Sequence, residues 1–173
     1  MGLKDSWTSA FGMTPPDYAA EIGEQLPGSE RVVAHAQVIP SAFKGGGSGS
    51  ISITQRITSK LINMAADAVS KNRHMGGEEG TRAHSLPRDS ALKVLALTTT
   101  GLSLWSFGPY GADTPGRFEL SVPRAEVASV TDTGERAQGG VPVARVTFAD
   151  GSFFDYRLMN KPGDEFWAAV AAW

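Results

Sequence analysis

The sequence predicts a mainly β protein with helical additions (β+α). The expected form is a seven-stranded, partly open barrel or sandwich, capped by a C-terminal helix, with a helical insert between strands one and two. Three observations predict it. Residues 92–158 divide into six short apolar or alternating segments, each ended by a Gly-, Pro- or Asp-containing turn signal. Residues 164–173 place Phe166, Trp167, Val170 and Trp173 on one bulky apolar face. A further strand-like segment, 31–39, lies upstream and is split from the rest by 41–90.

Residues 1–30 read as an N-terminal arm. Trp7, Phe11, Met13 and Tyr18 share no single helical face, and Pro15-Pro16 interrupts any helix that would join them. A short helix is expected over 17–26, with Asp17 near its start and Pro27-Gly28 at its end. Residues 31–173 form the domain proper. In 31–39, Val32, Val33, Val38 and Ile39 are β-branched, and Pro40 closes the segment. Within the insert at 41–90, the run 43–50 (FKGGGSGS) has the composition of a flexible linker. Residues 51–71 then change character. Ile53, Ile57, Leu61, Met64, Ala65 and Ala68 recur at spacings of three and four, and Arg56 and Lys60 lie among the polar positions, which predicts an amphipathic helix. The polar stretch 76–90 (GGEEGTRAHSLPRDS) reads as a mobile loop.

The strands follow. Residues 92–98 are apolar, and 99–101 turn. Residues 102–107 alternate, with Leu102, Leu104 and Ser106 opposite Trp105 and Phe107. A Pro- and Gly-containing loop (108–116) leads to 117–122, which Pro123 breaks. Residues 126–131 form the next strand, and 132–140 a polar connection. Residues 141–148 set Val141, Val143, Arg145 and Thr147 against Pro142, Ala144, Val146 and Phe148. Ala149-Asp150-Gly151 is the strongest hairpin signal, because Gly supplies the positive φ of a tight turn, and 152–158 returns as its partner. Pro162-Gly163-Asp164 opens the last helix, with Asp164 and Glu165 matched to the helix dipole. A helix of about ten residues is marginal alone, so its aromatic face needs a surface to cover.

These segments carry a family resemblance. Residues 95–105 (LALTTTGLSLW) are similar to the "vlvlTdrgLyly" hairpin of bacterial PH-like and GRAM-like domains. Residues 122–130 (VPRAEVASV) are similar to their "ip..ei.sv" corner, and 146–152 (VTFADGS) to their "l.f.dGs" hairpin; Phe166 and Val170 fit the terminal "f...l" helix. The resemblance covers 31–39 and 92–173 and implies the pleckstrin-homology superfold, a binding scaffold. It implies no lipid headgroup site. Phosphoinositide-binding members cluster bases on the first hairpin, whereas here 41–90 interrupts that hairpin and its second strand offers only Lys93.

Composition narrows the function classes. A net charge of −2 supplies no basic footprint for nucleic acid. The charge is uneven: residues 1–30 hold one base (Lys4) against five acids, and 41–90 hold seven bases against four acids. With no cysteine there is no disulfide, thiolate nucleophile or Cys-based metal site. No apolar run approaches the roughly 18–20 residues that span a bilayer, and the N-terminus shows no secretion signature. A cytoplasmic protein is expected, with a membrane-peripheral location left open. His35 reads as a strand residue. His74 and His84, ten apart with Glu78-Glu79 between them, match no zinc spacing. There is no GxSxG elbow, and the Gly-rich run lacks the Lys-Ser/Thr ending of a phosphate loop. No catalytic, cofactor-binding or metal-ligating residue is assigned. The expectation is a non-enzymatic interaction module with a protein partner or self-association, its interaction candidates being Ile53, Ile57, Leu61, Met64, Arg56 and Lys60. The alternative is a peripheral domain that lays this helix on anionic lipid.

Overall fold

The computed structural model describes residues 14–42 and 73–173. It is mainly β with short helices. The element order is α1 (Tyr18–Gly23), β1 (Val32–Pro40), β2 (Met75–Gly76), β3 (Lys93–Thr98), β4 (Gly101–Ser106), β5 (Arg117–Pro123), β6 (Val127–Ala137), β7 (Val141–Phe148), β8 (Phe153–Leu158) and α2 (Asp164–Ala172). The strand path is β5-β4-β3-β1-β8-β7-β6, antiparallel throughout, with the two-residue β2 paired to β8. Two meanders, β3-β4-β5 and β6-β7-β8, are thus joined through the first strand. Val32 to Val38 pair with β3, while Val38 to Pro40 pair with β8.

Seven strands were expected, and all seven are present with β2 added. The sheet does not close into a barrel: among the described residues no ladder joins β5 to β6. It curls instead. Leu95, Leu97, Leu102, Leu104 and Val122 of one meander share a core with Val130, Ala144, Val146, Phe148, Phe154, Tyr156 and Leu158 of the other. Strand alternation accounts for this set, since each named residue of β3, β4, β7 and β8 is two positions from the next. Helix α2 completes the core with buried Phe166 and Val170, while Trp167 and Trp173 pack partly buried against it. Arg124 fastens the end of α2 by donating to Trp173 O at 3.2 and 3.3 Å, and the Trp173 indole donates to Thr98 O at 2.6 Å.

A second, smaller core lies on the outer face of β3 and β4. Asp17 caps α1 by accepting from Ala20 N at 3.1 Å. Tyr18 and Ile22 of that helix bury against Val94, Ala96, Trp105 and Phe107. The Tyr18 ring meets Phe107 edge-on at 4.8 Å and His35 at 6.0 Å. The predicted hairpin turn at 149–151 is present, with Gly151 at φ 81° donating to Phe148 O at 3.0 Å.

Two expectations are corrected. Residues 76–90, expected as a mobile loop, are anchored to the sheet. A 3₁₀ turn at Arg82–Ser85 lies there, with Ala83 and Leu86 buried in the main core. Asp150 accepts from Arg82 N at 2.7 Å, Ser152 Oγ accepts from Ala83 N at 3.1 Å, and Arg82 pairs with Glu126. Gly76 lets this segment pass over Phe153, whose ring would stand 2.1 Å from any Cβ at that position. The connection expected at 132–140 is mostly strand. β6 runs to Ala137, held by Arg136 ↔ Pro142 and Ala137 ↔ Val141 pairing with β7 beyond a register shift. Its polar letters fit a strand with one solvated edge.

Candidate functional site at the β5 edge

The concave site with the most developed chemistry lies where β3, β4 and β5 meet the segment that follows the 3₁₀ turn. A cavity of about 560 Å³ opens there, walled by Pro87, Asp89, Lys93, Ser106, Phe118 and Glu119, with Leu120 and Ala91 beside them. It is largely open to solvent, a surface groove rather than an enclosed pocket.

The sequence builds it in three steps. Lys93 begins β3 two residues before Leu95 and four before Leu97, so it shares their inward face. A bulge then places Glu119. Leu104 pairs with Leu120 and Trp105 with Phe118, which leaves Glu119 as the extra residue of β5. Its carboxylate reaches Lys93 Nζ at 2.7 Å, and Asp89 Oδ2 approaches the same ammonium at 3.3 Å. The Lys93 side chain is 4% exposed. Two carboxylates around one buried ammonium satisfy the rule that a buried charge must be paired. Finally, Phe118 stays 50% exposed, resting edge-on against Trp105 at 5.3 Å. The far side of β5 pairs with no described strand.

Tyr156 stands behind this site on the inward face of β8. Its hydroxyl is buried without a hydrogen-bond partner. Burial, reinforced by the charges of Asp89 and Glu119, pushes its pKa far above the ordinary phenol value and holds the hydroxyl neutral.

A second polar cluster occupies the outer face of β7 and β8. Asp155, 1% exposed, accepts from Arg145 Nε at 2.7 Å and from a terminal Arg145 nitrogen at 2.9 Å; His74 Nδ1 lies 3.1 Å from its Oδ2. The bidentate hydrogen bond that Arg145 donates to Asp155 raises the Arg145 pKa, and the guanidinium lies 3.7 Å above the Phe153 ring. Arg73 adds an ion pair to Glu135 at 3.0 Å. The cluster joins Arg73 and His74 to the sheet, and every group in it is engaged by another.

Ile53, Arg56, Ile57, Lys60, Leu61 and Met64 lie outside the described residues, as does the linker at 43–50. His35 occupies β1 facing Tyr18, and burial lowers its pKa, opposed by the charge of Asp17. His84 Nδ1 lies 3.2 Å from Thr81 Oγ1. Asp150 serves the turn, accepting from Ser152 N and Oγ at 2.9 and 2.6 Å, and holds Arg82 as well. Among the described residues no three His, Asp or Glu side chains converge as metal ligands, and no helix is long and apolar enough to cross a membrane. Sequence reasoning missed Glu119, Asp89 and Asp155. The strongest available signal was an acid inside each of the strand segments 117–122 and 152–158. Comparison with protein-family models, curated proteins and solved structures gives no match.

Proposed function

We propose that this chain is a non-enzymatic PH-like interaction module that recognises a protein partner through a free edge of its curled sheet. One observation carries the reading. The strand path ends at β5 and β6 with no described partner on their outer sides, and the β5 edge adds a half-exposed aromatic, Phe118, beside a cavity. An unpaired strand edge is a row of backbone donors and acceptors that another chain can complete, with neighbouring pockets selecting side chains. The β6 edge is less inviting. Register shifts interrupt its pairing with β7, and Asp132, Glu135 and Arg136 charge it, which are two devices that discourage strand addition. Six strands in two meanders joined by β1, with a C-terminal helix on the shared core, support the PH-like reading.

Panning a displayed library of extended peptides against the intact chain tests the reading. Enrichment over the heat-denatured chain is expected; its absence sinks the proposal. A second reading rests on the sequence stripe Ile53, Ile57, Leu61 and Met64, with Arg56 and Lys60 beside it: contact with anionic lipid. Sedimentation with anionic vesicles separates the two. Binding that is lost in Ile57→Asp, with the circular dichroism unchanged, would replace the protein reading by the lipid one.

A further inference from the structure

We infer that α1 is an acid-releasable latch: proton uptake by His35, the strand side chain on which the helix rests, frees α1 from the sheet while the sheet itself stays folded. The inference stands apart from the interaction-module reading and goes beyond it.

The helix is built to come off alone. It has six residues, well short of the roughly 12 at which an isolated helix begins to persist in water. Its attachment is made by two side chains, Tyr18 and Ile22, which bury against Val94, Ala96, Trp105 and Phe107. The Tyr18 hydroxyl adds two hydrogen bonds, donating to Gly111 O and accepting from Gln37 Nε2, both at 2.5 Å. The sheet beneath is held by continuous ladders and by a separate, larger core on its inner face. Segments with few buried contacts open at a lower free energy than the whole fold.

His35 lies in this seam. It stands opposite Ala96 in the β1–β3 ladder, and its ring meets Tyr18 edge-on at 6.0 Å. From β3 the seam receives apolar Val94 and Ala96, and the loop after β4 meets it through the Gly111 backbone. The Tyr18 hydroxyl, its pKa raised by burial, is neutral throughout the acid range. The helix carries Asp17 at its cap and Glu21 in its first turn, and the Asp17 charge is the one that acts on the ring. That carboxylate favours the imidazolium, but the loss of hydration on burial opposes it and is the larger effect, so the docked helix prefers a neutral ring. When α1 lifts, the ring regains water and its ordinary pKa of about 6.5. Opening therefore takes up a proton, and the open fraction grows as the pH falls below that value; above it the ring is neutral in both forms and the latch holds. Release withdraws Tyr18 and Ile22 from Trp105 and Phe107, so an aromatic face closed at neutral pH becomes available in acid.

Amide hydrogen exchange of the full chain between pH 7.5 and 5.0, expressed as protection relative to the unfolded rate, tests the latch. The amides of Glu21 and Glu24, which donate to Asp17 O and Ala20 O, are expected to lose protection about threefold or more across this range, and no more than about tenfold per pH unit. The ladder amides of β3 and β7 should hold theirs within about twofold. His35→Gln and His35→Phe do not titrate, and each should make the protection of α1 flat over the same range. Either variant suffices, provided it keeps the parent's protection in β3. Flat protection of α1 in the parent overturns the inference, as does a loss that persists in the variants, which places the proton elsewhere. Loss in β3 together with α1 overturns it too, since the sheet then opens with the helix. Absence of protection in α1 at pH 7.5 overturns it as well, because the helix is then already free.

Discussion

On the β3–β4 part of the sheet, the outer face is covered by a six-residue helix that buries Tyr18 and Ile22 against Trp105 and Phe107. On β7 and β8, the same outer face carries Arg145, Asp155 and the approach of His74. The inner faces are alike, both apolar and part of one core. The difference shows that one curled sheet holds two attached segments with different balances of apolar packing and charge. The helix is held chiefly by desolvated aromatic surface, with the Tyr18 hydroxyl donating to Gly111 O and accepting from Gln37. Residues 73–76 are held by the β2–β8 ladder and buried Met75 and, in addition, by a buried carboxylate, whose value depends on every partner being present.

The comparison can be broken in order of expected effect. Phe154→Ala, in the shared core, should cost about 3–5 kcal/mol by urea unfolding and should weaken both halves together. Retention of one half alone by hydrogen exchange would show two independent cores. Asp155→Ala should cost about 3 kcal/mol, since it strands Arg145 and His74. It should also raise exchange at Met75 and Gly76 while sparing α1. Ile22→Ala should cost about 2–4 kcal/mol and do the reverse, exposing α1 and leaving Met75 protected. Equal loosening of both segments by either variant would contradict the division.

The smallest effect is the dependence on pH. Burial against α1 lowers the His35 pKa below 6.5, so the unfolded chain binds this proton more readily than the folded one. Stability is therefore complete above about pH 6.5 and declines as the pH falls through the folded pKa. On the other half, hydrogen bonds from Arg136 and Gly134 to Asp132, from Arg73 to Glu135, and from Arg82 N and Ser152 to Asp150 hold these carboxyls below their ordinary values. Their contribution is lost only as the pH drops below about 4. Thermal unfolding followed across pH should show two separate declines. His35→Gln should remove the upper one and leave the lower.

Much of the fold was legible because strands advertise themselves twice, by alternation and by turn chemistry. Leu102, Leu104 and Trp105 point as their spacing dictates, and Asp150-Gly151 turns the last hairpin. The helix at Asp17 was legible from its cap, but the surface it covers was not, because the outward residues of β3 and β4 carry no mark of what rests on them. The segment after Gly76 was misread for a physical reason. Its anchors, Ala83 and Leu86, are two buried residues in a polar string, and the groups that hold it, Asp150, Ser152 and Glu126, are remote in sequence. The cavity was hidden likewise. Glu119 breaks the alternation of its strand only because of a bulge, and a bulge is set by pairing. Lys93 was legible only as the one base of its strand; the fold brings Glu119 and Asp89 to it.

The first strand has a consequence for how the chain is made. Ile39 pairs with Arg157, so β1 finishes its hydrogen bonding only when β8, more than a hundred residues later, has been synthesised. During translation β1 can dock on the β3 meander while its other edge waits, exposed, for β8. Pairings this remote in sequence slow folding and leave the nascent chain open to wrong partners. Expression near the ribosome's limit should therefore show aggregation that falls when the chain is supplied with holdase chaperones, and permuting the chain so that β8 precedes β1 should relieve it.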